Sequence, residues 1–65
     1  MTHEEWSKKV RMALIEEDMT IKTLALALGR SPEWARMAIY GRNIYPETVE
    51  AISHYLGVEN YLGED

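Results

Sequence analysis

The sequence predicts an all-α protein, a compact four- to five-helix bundle. Three observations carry this. Apolar residues recur at helical spacing in four separate stretches. Each stretch opens on a residue suited to starting a helix (Thr2, Thr20, Ser31-Pro32 and Pro46), and three end at a glycine, Gly29, Gly41 and Gly57. Between them the stretch from Thr20 to Gly41, TIKTLALALGRSPEWARMAIYG, reads as two short helices joined by one tight turn. Helices so close in sequence share a core only if they cross steeply, so the bundle is expected to contain a helix-turn-helix.

The first helix is expected over 3–17. Thr2 is its N-cap, and Glu4 and Glu5 sit in the first turn, where the helix dipole favours anions. Trp6, Val10, Ala13 and Leu14 form its apolar stripe, with Met12 at the margin. Glu16, Glu17 and Asp18 oppose the dipole at the other end and stop it, and Met19 turns inward. The second helix runs over 21–28 after the Thr20 cap. Ile21, Leu24, Ala25 and Leu28 recur at i, i+3, i+4 and i+7, and Ala25 lets a neighbour approach closely. Gly29 ends it, because glycine enters the left-handed region without steric cost. The third helix runs over 32–40, capped by Ser31 and opened by Pro32. At about 100° per residue, Ala35, Ala38 and Ile39 fall on the buried side, Trp34 at its edge, and Glu33, Arg36, Met37 and Tyr40 opposite. Residues 41–45 form a loop. The fourth helix spans 47–56 behind Pro46, with Val49, Ile52 and Leu56 facing the core. Val58 packs back, and a short fifth turn is expected over 59–63.

A chain of 65 residues forms a single domain over 1–65, and domains of this size bury only about 60% of their unfolded surface. Without cysteine it has neither a disulfide nor a thiolate metal site. At 46% hydrophobic and 28% charged residues it is an ordinary soluble globular sequence. The start, Met1-Thr2-His3-Glu4-Glu5, is acidic where a signal peptide is basic, and no apolar run is long enough to span a bilayer. These features predict a cytoplasmic protein without a membrane partner.

Catalytic chemistry finds little support. His3 lies at an end expected to fray, and His54 on the fourth helix lacks a second ligand at metal spacing. No glycine-rich phosphate loop or nucleophile elbow is present. No catalytic residue, metal site or cofactor is expected, and the protein is read as no enzyme. Net charge is −4, but Thr20 to Pro46 holds Lys22, Arg30, Arg36 and Arg42 against Glu33 alone. A basic stripe on an acidic bulk suits a local electrostatic footprint, although four cations over that length also suit ordinary solvation.

Val10 to Leu14, Met19-Thr20, Leu24-Ala25, Leu28-Gly29, Ser31-Pro32, Gly41 and Ile52 with Leu56-Gly57-Val58 together resemble the lambda repressor and Cro family of helix-turn-helix domains, the XRE type, over nearly the whole chain. The resemblance implies sequence-specific binding of double-stranded DNA by a small transcriptional regulator, repressor-like, of phage or mobile-element type. Helix 32–40 would lie in the major groove. Carried over position by position, it makes Pro32, Glu33, Trp34, Arg36 and Met37 base-facing, and Lys22, Arg30, Tyr40, Arg42 and Asn43 phosphate-facing. Arg36 suits guanine O6 and N7, Glu33 cytosine N4 and Met37 a thymine methyl. The family's habit of dimerising on a palindrome implies a homodimer, expected through helix 47–56 and the C-terminal tail, where Tyr55, Val58, Tyr61 and Leu62 either pair two chains or close one core. The chain departs from the family pattern at Ile21, often glutamine, at Arg30, usually aliphatic, and at the inward Ala35 and Ala38, commonly larger. The alternative reading is a protein-interaction module that retains the fold without DNA binding, using Met37, Tyr40, Ile44 and Tyr45 as an apolar patch.

Overall fold

The computed structural model describes residues 1–41 and 45–62, and these hold four α-helices: α1 (His3–Glu16), α2 (Ile21–Ala27), α3 (Pro32–Tyr40) and α4 (Pro46–Leu56). The starts follow from side-chain capping. Thr2 Oγ1 accepts from the Glu5 amide while the Glu5 carboxylate accepts from the Thr2 amide. Thr20 and Thr23 make the same reciprocal pair at the head of α2, and Ser31 Oγ accepts from the Trp34 amide. Each satisfies amide groups that the helix itself leaves free. α4 has no side-chain cap; Pro46 opens it instead, one residue before the expected start.

Three helices end alike. The Arg30 amide donates to Ala25 O at 2.8 Å, the Val58 amide to Ser53 O at 2.9 Å and the Met19 amide to Leu14 O at 2.8 Å. Each bond spans a residue in the left-handed region: Gly29 (φ 71°), Gly57 (φ 69°) and, unlike the others, Asp18 (φ 56°). This C-terminal wrap satisfies orphan carbonyls and reverses the chain direction. It stops α1 and α2 one residue short of the expected 17 and 28. The expected fifth turn is corrected: residues 59–62 are not helical, and Asn60 Oδ1 accepts from the Leu62 amide across a side-chain turn. Residue 63 lies outside the described residues. The physical reason is packing, since Val58, Tyr61 and Leu62 are drawn against the core.

α2 packs on α3 and α1 on α4, while α3 touches all three other helices. The core takes Trp6, Val10 and Leu14 from α1, Leu24 and Ala25 from α2, Ala35, Ala38 and Ile39 from α3, and Val49 and Ile52 from α4. Alanine at 25, 35 and 38 keeps the α2–α3 contact thin, so the large volume comes from Trp6, which is fully buried. Met12 stands outside the stripe, more than half exposed, because it lies across the helix from Val10 and Leu14. The Cα radius of gyration is 10.7 Å, against about 11 Å for a compact fold of this length. Among the described residues no helix is long and apolar enough to cross a membrane.

His3 does not fray. Its ring lies 5.4 Å from that of Trp6 and 5.7 Å from that of Tyr61, centroid to centroid. Its Nε2 donates to Ala38 O at 2.7 Å; a carbonyl only accepts, so Nε2 carries the proton. The bond satisfies a carbonyl in the last turn of α3, a turn with no basic residue of its own. Trp6 Nε1 donates to Ser53 Oγ at 2.7 Å in the interior, tying α1 to α4. Tyr61 stands edge-on to Trp6, and among the described residues its buried hydroxyl has no hydrogen-bond partner. Burial raises the Tyr61 pKa above the usual tyrosine value, because the phenolate would lose solvation.

Candidate nucleic-acid interface

α3 holds its outer face in place through its inner one. Ala35, Ala38 and Ile39 are buried, so Glu33, Arg36, Met37 and Tyr40 point outward and are exposed. Together with Gly41 these four line an open groove of about 240 Å³ along the helix, with almost wholly apolar walls. Gly41 closes its end for a steric reason. A Cβ there would overlap the Met37 carbonyl, so only glycine lets the chain leave α3 this tightly.

Two arginines from outside α3 stack on aromatic side chains of this helix. The Arg11 guanidinium of α1 lies 5.6 Å above the centroid of the Tyr40 ring, steadied by its Nε donating to Ser7 O. The Arg30 guanidinium, from the α2–α3 connection, lies 5.4 Å above the Trp34 ring. Such stacking is worth about 0.5–1 kcal/mol at exposed sites. Among the described residues Arg36 makes no ion pair, and its charge is free for a partner. A second, smaller cleft of about 50 Å³ runs from α3 to the start of α4 between Trp34, Met37, Ala38, Tyr45 and Thr48. Met37 is shared by both.

No family model matches the chain, and no curated protein or solved structure is significantly similar to it.

The expected site residues fall into three groups. Glu33, Arg36, Met37 and Tyr40 form one surface. Pro32 and Trp34 are half-buried: Pro32 begins α3, and Trp34 packs against the core beneath Arg30, in a cleft shared with Leu28, Glu47, Thr48 and Ala51. Arg30 therefore stands over the α3–α4 side with Glu47 on the same cleft. Lys22 is exposed in the first turn of α2. Arg42 and Asn43 lie outside the described residues, as does Ile44. The residues alone do not single out Arg11, and they place Tyr45 only in the apolar patch of the interaction reading. The sequence signal for Arg11 was a cation off the apolar stripe of α1, but only the packing of α1 on α3 brings it to Tyr40. Tyr45 offered an exposed aromatic next to Pro46, and its closeness to Met37 depends on how α4 meets α3.

The surface expected to pair two chains is mostly occupied. Val58, Tyr61 and Leu62 pack against the core of their own chain, and Tyr55 is left half-exposed. The outer side of α4 is acidic, with Glu47, Glu50 and His54 along one open groove. The described residues thus carry a cationic, aromatic face on α3 and an anionic one on α4.

Proposed function

We propose that the protein is a sequence-specific DNA-binding regulator in which α2 and α3 act as a helix-turn-helix and α3 enters the major groove. The observation that carries this reading is the outer face of α3. Among the described residues Arg36 is unpaired there, Met37 and Tyr40 are exposed beside it, and Arg11 of α1 stacks on the Tyr40 ring. An α-helix fits the major groove of B-DNA, and arginine is the commonest reader of guanine there. Arg11, Lys22 and Arg30 would position the domain on phosphates, while Arg36 and Glu33 would read base edges. The lambda repressor-like resemblance of the sequence points the same way. A gel-shift series on duplex DNA across salt concentrations tests it. Binding should weaken steeply as salt rises, and Arg36→Ala should lose sequence preference with its helix content unchanged. Absence of a shift at low salt on any duplex, bulk DNA included, overturns the reading.

One observation favours a second reading. Met37, Tyr40 and Tyr45 are all large, apolar and about half exposed or more on one side of a chain of net charge −4. A protein-interaction module would use them as an apolar patch. Under that reading the chain self-associates or binds a protein through this face and shifts no DNA.

A further inference from the structure

The cleft between the α2–α3 turn and α4 holds charges of both signs that do not meet. It measures about 160 Å³ and is lined by Leu28, Arg30, Trp34, Glu47, Thr48 and Ala51. Each charge has its own anchor. The Arg30 guanidinium lies 5.4 Å above the Trp34 ring, and Glu47 sits in the first turn of α4, where the helix dipole favours an anion. Among the described residues neither makes an ion pair, with the other or elsewhere. Thr48 adds a hydroxyl: the residue is only 5% exposed, and among the described residues its side chain makes no hydrogen bond. The rest of the lining, Leu28, Trp34 and Ala51, is apolar and half-buried.

We propose that this cleft binds a free amino acid with a short apolar side chain, in its zwitterionic form. An ion of one sign would be attracted by one of the two charges and repelled by the other. A neutral apolar molecule would cut both charges and the Thr48 hydroxyl off from water without replacing it. A zwitterion answers both. Its carboxylate suits the planar fork of Arg30, and its ammonium suits the Glu47 carboxylate. The Thr48 hydroxyl can donate to the one or accept from the other. Leu28, Trp34 and Ala51 then cover the side chain. Size narrows the class. At about 30 Å³ per water the cleft has room for about five waters, which suits alanine or valine and excludes a nucleotide. Trp34 and the helix already hold the two charges apart, so little ordering is lost on binding. Such a site stands whether or not α3 reads DNA.

The test is a titration of the isotope-labelled full chain with free valine, followed by NMR at the Trp34 indole N–H and the Thr48 amide. Two further probes each lack one charge: isovalerate is valine without the ammonium, and isobutylamine is valine without the carboxylate. Valine should give saturable shifts with a Kd of about 0.1–1 mM. Each single-charge probe should bind about tenfold more weakly, the worth of one charge-assisted hydrogen bond. Glu47→Gln should bind valine and isovalerate alike, and Arg30→Gln valine and isobutylamine alike. Both positions are exposed, so helix content by circular dichroism should not change. No saturable shift with valine or alanine up to about 10 mM overturns the proposal. Isovalerate binding as tightly as valine leaves only an anion site, and isobutylamine doing so only a cation site; either result overturns it. Valine binding that persists undiminished in both variants places the ligand elsewhere and overturns it too.

Discussion

Ser53 hides its hydroxyl in the interior, 3% exposed, and the indole N–H of Trp6 is its partner. Ser53→Ala would leave that N–H buried and unpaired, so the expected loss is about 1–3 kcal/mol in urea unfolding. Tyr61 is the reverse case, a buried hydroxyl without a partner among the described residues. Tyr61→Phe should therefore hold or raise stability, by up to about 1 kcal/mol. Because burial raises the Tyr61 pKa in the folded state, its contribution is fully present below the unfolded value and lost as pH rises through the folded one. The unaltered chain should lose stability on titration above about pH 10, and Tyr61→Phe should flatten that limb. Asp18 sits in the left-handed region, which costs an L-residue about 1–2 kcal/mol, and it places an anion at the negative end of α1. Asp18→Gly should raise the midpoint of thermal unfolding by a few degrees, corresponding to about 1 kcal/mol. None of these roles is legible in sequence. Asp18 belongs to an acidic run that reads as a stop signal without showing which residue turns left-handed, and the partners of Trp6 and His3 lie 47 and 35 positions away.

At the scale of elements the sequence was far more readable. Helix starts and stops are local events, set by Thr2, Thr20, Ser31, Gly29 and Gly57 within a few residues of where they act. The apolar spacing of α2 and α3 likewise places Leu24, Ala25, Ala35, Ala38 and Ile39 inside without knowledge of the neighbours. The segment 59–62 was misread because its conformation follows from what Tyr61 and Leu62 touch, not from their propensities. The outer face of α3 was legible for the same reason as its inner one, being the remainder of the wheel. Arg11 was not, since it joins that face through packing of a different helix. Gly41 binds these levels together. Gly41→Ala would force its Cβ against the Met37 carbonyl, so the last turn of α3 must shift. A stability loss of about 1–3 kcal/mol is expected by thermal unfolding, and, on the proposed DNA-binding reading, weaker binding as well, because Met37 and Tyr40 stand on that turn.

Across the whole molecule the charge is divided, and the division matters more than the total of −4. If Arg11, Lys22 and Arg30 each neutralise one phosphate, log K against log salt should fall with a slope of about −2.7. Arg11→Ala should bring it about 0.9 closer to zero without changing sequence preference. The acidic residues Glu47 and Glu50 line an open groove on α4, apart from the groove of Arg36 on α3, which net charge could not convey. The closure of α1 onto α4 carries a further consequence, for the birth of the protein. Trp6 cannot shelter its indole nitrogen until Ser53 has been synthesised and has left the ribosome, and the His3 ring waits for both Ala38 and Tyr61. At about 5–20 residues per second, the nascent chain spends seconds with its largest core side chain uncovered, and a ribosome stalled before residue 53 would display Trp6 to whatever holds unfolded chains.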